Sequence, residues 1–231
     1  MLFAIRRLLY WSVRPAWLLL LRVLPTGDPW QRIEYRVPIS RYGAGSNHDF
    51  SWYFEGESLV EVQTLDELQD WLLGCEYVRD PELFNEADFW QHPRTFEQLR
   101  RGDCEDYALW AWRKLLELGY DADLVSGRCL PWKPGVADGE RRHVWVIFRR
   151  DGETYLLETV AKQREQMVHL LEQVKTRYRP EVGVDRDRQR YAFAGLLHTM
   201  REREFPHDFV ARASADVLHA TAHYGGVARR Y

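Results

Sequence analysis

Three side chains in this sequence have the types and spacing that nucleophilic chemistry requires: Cys104, His143 and Glu158. Cys104 lies in the run R-R-G-D-C-E-D-Y-A-L-W-A-W, at the start of an apolar helical pattern. A thiol in the first turn of a helix meets unpaired N–H groups and the positive end of the helix dipole, and both favour thiolate. The carboxylates of Asp103, Glu105 and Asp106 around it act in the opposite sense. A nucleophilic cysteine also needs a base, and the base needs a group that orients it. His143, 39 residues further along, opens a strand and is the candidate base.

The elements that must position these residues follow from local patterns. Asp103 reads as the N-cap of the cysteine helix, with Asp106 three residues later. Ala108, Leu109, Ala111, Trp112, Leu115, Leu116 and Leu118 give that helix a wide apolar face, and Gly119 ends it. The stretch D-A-D-L-V-S-G-R-C-L then reads as a strand. R-H-V-W-V-I-F-R-R-D-G-E-T-Y-L-L-E-T-V carries the signature of a hairpin, two β-rich runs around Asp151-Gly152. A two- or four-residue loop there sets His143 opposite Val160 and Trp145 opposite Glu158. Glu158 is then diagonal to His143 on the same face, within reach of a long side chain. Glu153 falls on the other face, and Asp151 is in the turn.

Upstream, P-T-G-D-P closes an N-terminal segment, and R-I-E-Y-R-V-P-I alternates like a short strand. T-L-D-E-L-Q-D-W-L-L-G reads as a helix capped by Thr64, with Glu67 completing a capping box and Gly74 stopping it. A turn and short helix lead to Gly102. Beyond the hairpin, residues 161–178 read as helical and charged, 179–188 as a polar loop, and the remainder as mixed helix. A helix with the cysteine at its start, followed by antiparallel strands, predicts an α+β fold with that helix packed on a sheet.

The bulk numbers fit one soluble domain. The chain has 231 residues, is 45% hydrophobic and 29% charged, and carries a net charge of −3. That charge gives no reason to expect nucleic acid as a partner. Ten Trp and twelve Tyr suggest a core or groove of large aromatics. Three Cys with no C-x-x-C indicate neither a disulfide framework nor a thiolate zinc site, and fit a reducing compartment. Residues 1–25 form a basic amphipathic pattern, with Arg6, Arg7, Arg14 and Arg22 on one half of the wheel and a break at Pro15. Its uncharged runs are shorter than the roughly 18 residues a membrane span needs. Packing on the domain, or contact with a membrane surface or partner through residues 1–24, both suit it.

The strings G102-D103-C104-E105-D106-Y107-A108, D88-F89-W90-Q91-H92-P93, H143-V144-W145-V146 and L157-E158-T159 resemble the bacterial transglutaminase-like cysteine proteinases, over roughly residues 50–160. This family belongs to the transglutaminase/papain-like superfamily, whose triad sits on a helix and two strands in this order. The resemblance implies a papain/transglutaminase-like core over residues 26–160, flanked by the N-terminal helix and a helical extension of the same domain over 161–231. It implies Cys104 as nucleophile, His143 as general base and then acid, and Glu158 as the orienting carboxylate. The family has Asp where this chain has Glu158, so backbone placement must absorb one more methylene. It also implies a protein or peptide substrate, and an oxyanion hole built from the Cys104 amide with Trp90 as an added donor, because W-Q-H-P matches the family's W-x-x-P lead-in.

Well-known members are calcium-dependent periplasmic proteases, and acidic residues bracketing their cysteine bind the ion. Asp103, Glu105 and Asp106 match those positions. Hard oxygen ligands suit calcium, and the ion would cancel the anionic field on Cys104. Three carboxylates are fewer than the six to eight oxygens it takes. The alternative is an acidic cap that only complements the helix dipole.

Three functions follow from this set: a thiol hydrolase, an acyl transferase using the same triad with an amine as acceptor, or an inactive member serving as a binding or assembly module. Cys75 and Cys129 lie in apolar segments and read as core. His219 and His223, spaced i, i+4, lack a third ligand and read as helix surface. Arg141-Arg142 and Arg149-Arg150 flank strand ends and read as solvated.

Overall fold

The computed structural model describes residues 27–33, 37–130 and 141–204, together with Pro15, Ala16 and Leu19. The expected N-terminal helix with its arginines, and His219 and His223, therefore lie almost wholly outside the described residues. In chain order the main elements are β1 (Arg32–Ile33), α1 (Leu65–Leu73), β2 (Glu76–Tyr77), α2 (Asp80–Leu83), α3 (Pro93–Leu99), β3 (Arg101–Gly102) and α4 (Cys104–Glu117). Then come β4 (Asp121–Cys129), β5 (Arg141–Arg150), β6 (Glu153–Leu157), β7 (Val168–Leu170), α5 (Leu171–Val174), β8 (Tyr178–Val184), β9 (Arg190–Phe193) and α6 (Ala194–Glu204).

The architecture is α+β. Among the described residues, seven strands form one antiparallel sheet in the order β1-β9-β8-β4-β5-β6-β7, and β2 and β3 form a separate parallel pair. Helix α4 packs across β4 and β5. Its Ala108, Leu109, Ala111, Trp112 and Leu115 bury against Leu124, Val144, Val146 and Phe148 of the sheet. The opposite face of the sheet holds a second cluster that includes Trp145, Ile147, Leu156, Tyr178 and Tyr191. The abundance of aromatics is a packing device: Trp71 stacks on Trp110 at 3.9 Å, and the buried Trp112 indole donates to Ala122 O at 3.0 Å.

Local signals account for the boundaries near the site. Thr64 caps α1 by accepting from the Glu67 amide at 3.1 Å, while Glu67 accepts from the Gln63 amide, one residue before the cap. Between β5 and β6, Asp151 and Gly152 both adopt positive φ (53° and 80°), the two-residue turn that an Asp-Gly pair favours. Arg150 pairs with Glu153 and Val146 with Leu157, which fixes the hairpin register.

The C-terminal third corrects the expectation of helix and loop. Residues 161–178 break into short pieces around β7, and 179–188 begin as β8, an interior strand between β4 and β9. Along β8, Tyr178 packs in the second cluster, while Val182 and Val184 bury on the α4 face. Pro180 is tolerated because β8 bulges beside it: consecutive Ser126 and Gly127 of β4 pair with Val182 and Pro180, leaving Glu181 as the extra residue. β7, Val-His-Leu, is an edge strand whose three residues are half-buried. The helical expectation holds for α6.

Candidate active site

Cys104 is the first residue of α4, and its thiol donates to Glu105 Oε2 at 3.1 Å. Burial pushes this thiol well above its ordinary range; the neighbouring Glu105 and Asp103 carboxylates push it further, and the Val144 amide opposes them. Val144 follows His143 on β5, so the helix start and the strand meet at this point. Cys104 and His143 line one cleft of about 410 Å³, whose walls include Tyr42, Tyr77, Asp80, Asp88, Trp90 and Arg142.

His143 Nε2 lies 2.8 Å from Glu158 Oε1 and 2.9 Å from Oε2. The hairpin register produces this contact, since Glu158 directly follows β6 and sits diagonally across from His143. Glu158 is 4% exposed, and two further donors reach it. Tyr178 donates its hydroxyl to Oε2 at 2.7 Å, and the Val160 amide donates to Oε1 at 3.4 Å. Burial pushes the Glu158 carboxyl up, but the His143 charge and these donors outweigh it and hold it below its ordinary value. With Nε2 committed to the carboxylate, Nδ1 is the imidazole nitrogen left to accept a proton. The Tyr178 hydroxyl was missed in the sequence because its segment read as the end of a helix.

The acidic residues around the cysteine are joined by two from upstream. Asp80, Asp103 and Asp106 place carboxylate oxygens within 4.8 Å of one another, and so do Asp80, Asp88 and Glu105. The bracketing acids thus belong to a larger group, and their sequence spacing alone missed Asp80 and Asp88. Asp106 is committed inward: it accepts from the Gln91 amide at 2.8 Å, from Gln91 Nε2 at 2.6 Å and from the Asp103 amide at 3.1 Å. Asp80 accepts from the Phe89 amide at 2.6 Å, and Asp88 from the Gly45 amide at 2.8 Å. Asp80 Oδ1 and Asp103 Oδ1 are buried and have no hydrogen-bond partner.

Burial, together with Asp103 nearby, pushes the Asp80 carboxyl up to about 6. Burial and the neighbouring acids also push Glu105 and Asp106 well above their ordinary range. A set of hard oxygens with two buried, unpartnered members fits a divalent cation such as calcium.

Gly102 matters here through space rather than backbone angle. A Cβ on Gly102 would lie 2.3 Å from Asp106 Oδ2 and 2.7 Å from Gln91 Nε2. Trp90 is 3% exposed and packs edge-on to Tyr42 and Phe50 at 6.5 and 6.1 Å, with its indole also on the cleft. Cys75 is buried and Cys129 half-buried against the second cluster. Arg141-Arg142 and Arg149-Arg150 are exposed at the two ends of β5, as read, and they also make contacts. Arg142 donates to Arg41 O and Tyr42 O at 3.2 and 3.1 Å, and Arg149 pairs with Asp121 and Asp123 at 3.2 Å.

No family model and no curated protein sequence matches the chain. Solved structures of Legionella pneumophila LapG are similar to it. One, 17% identical, covers 62% of this chain and 73% of its own, with a TM-score of 0.40. The calcium-bound form is 16% identical, covers 68% and 81%, and has a TM-score of 0.43. The EGTA-treated form is 17% identical, covers 61% and 69%, and has a TM-score of 0.39.

Proposed function

We propose that the chain is a thiol hydrolase of the transglutaminase-like type, cleaving a peptide or amide bond through an acyl-enzyme on Cys104. The observation that carries this reading is the buried His143–Glu158 pair sharing a cleft with a helix-start cysteine. Glu158 and Tyr178 hold the imidazole so that Nδ1 takes the Cys104 proton. The Sγ then attacks the carbonyl carbon, and the oxyanion is met by the Cys104 amide at the helix start, with Trp90 as an added donor. His143 returns the proton to the departing amine. It next takes a proton from water, whose oxygen displaces the sulfur and releases the acid.

Asp80, Asp88, Asp103 and Glu105 would hold a calcium ion, with Asp106 fixed behind them. Bound there, the ion would offset the anionic field that opposes the Cys104 thiolate. Glu105, drawn to the ion, would also release the thiol it now accepts from.

The test is iodoacetamide labelling at neutral pH, with calcium and with chelator. Cys104 should react faster than a free thiol in calcium, and His143→Ala should slow it by roughly 10-fold or more. A Cys104 that reacts no faster than a free thiol, in a protein indifferent to His143→Ala, would sink the enzyme reading. Mass spectrometry of products then separates cleaved peptides from amine adducts, and so hydrolysis from acyl transfer.

A further inference from the structure

Next to the catalytic cleft lies a second groove of about 790 Å³, lined by Leu73, Gly74, Cys75, Glu76, Tyr77, Val160 and Lys162. Tyr77 lines both spaces, so the two adjoin. The wall of the groove is the strand β2 itself. On one edge β2 is occupied, because the Glu76 amide donates to Arg100 O at 2.9 Å and the Val78 amide to Gly102 O at 2.8 Å. The alternation of a strand therefore turns the Tyr77 amide and carbonyl toward the other edge. An edge of this kind pairs with an extended chain.

The groove's lining carries one base, Lys162, and one acid, Glu76. Lys162 is exposed, with Nζ 5.7 Å from the centre of the Tyr77 ring. Lys162 and Arg100 both bear on the Cys75 thiol at the floor; burial still holds that thiol up at about 11. Glu76, the acid on the rim, is paired with Arg101 at 3.1 Å and leaves Lys162 unmatched by the groove's own lining.

We propose that this groove binds the substrate as an extended peptide paired with the backbone of Tyr77, and that Lys162 selects an acidic side chain within a few residues of the cut. This rests on the hydrolase reading and narrows its substrate to an unstructured, acidic peptide segment. It follows that the protein acts on linkers or tails rather than on packed surfaces, because the partner strand must be free to extend.

The test is digestion of a randomised octapeptide library, with cut sites read by mass spectrometry, alongside iodoacetamide labelling of Cys104. Wild type should enrich Asp or Glu roughly threefold at one position near the cut. Lys162→Ala should abolish the enrichment and Lys162→Glu should turn it toward Lys or Arg, with Cys104 labelling unchanged in both. N-methylating each residue of a preferred peptide in turn should lower cleavage roughly 10-fold at the position facing Tyr77 and little elsewhere. Cleavage with the same preferences in wild type and Lys162→Glu overturns this inference alone. No cleavage by a protein whose Cys104 labels slowly overturns the hydrolase reading and this inference with it.

Discussion

The two ends of helix α4 hold buried charge in opposite ways. Toward its C-terminus, Lys114 is 1% exposed and donates to the Ser58 hydroxyl, to Val60 O and to Glu117 at 2.7 Å. Glu97, 3.7 Å from that ammonium, accepts from the Trp110 indole at 2.9 Å and the Leu59 amide at 2.6 Å. Arg113 pairs with Glu117 at 2.8 Å and donates to Gly56 O at 2.7 Å. At the N-terminal end, Asp80, Asp103, Glu105 and Asp106 crowd together with no ion pair to a lysine or arginine among the described residues. One end is settled by its own partners and pins the 56–60 segment to the helix. The other leaves Asp80, Glu105 and Asp106 with pKa values raised by burial and by the acids beside them, the kind of perturbation that marks functional sites. A protein that can match a buried lysine this fully has the means to neutralise its acids, and here it has not.

The largest expected effect breaks the matched end. Lys114→Met leaves Glu97 buried without its cation and should cost about 3–5 kcal/mol of stability in urea unfolding. A loss under about 1 kcal/mol would mean that the two ends are not different in kind. At the unmatched end, calcium at about a hundred times its Kd should add about 2.7 kcal/mol, seen as a rise in Tm. Glu105→Gln should remove most of that rise and, without calcium, raise Tm by relieving like-charge repulsion. A wild-type Tm indifferent to calcium, or a lower calcium-free Tm in Glu105→Gln, erases the contrast. The smallest effect concerns Tyr178→Phe, which takes one donor from Glu158 and should cost about 0.5–1.5 kcal/mol while slowing Cys104 labelling. If labelling is unaffected, the hydroxyl braces the fold and not the imidazole.

What could be foreseen in the sequence was local. The Asp151-Gly152 turn, with alternation on both sides, specified the register that sets Glu158 beside His143. Thr64 and Gly74, and Asp103 and Gly119, bounded their helices through capping chemistry. The rest depends on contacts between distant segments. Asp80 and Asp88 reach the cysteine because β2 pairs with β3, two residues each, too short to leave a periodic signature. Tyr178 reaches Glu158 because β8 inserts beside β4, and a strand containing Pro180 among charged residues reads as a loop until its own bulge at Glu181 is known.

The tight fit at Gly102 has a consequence for how this region can vary. A single methyl group there displaces the Asp106 carboxylate from Gln91, and with it the wall behind the acidic cluster. In a library of random variants, position 102 should therefore be as intolerant as the cysteine two residues away, although it touches no substrate and carries no reactive atom. Selection on the chemistry would thus be written partly in a residue whose only contribution is the room it leaves.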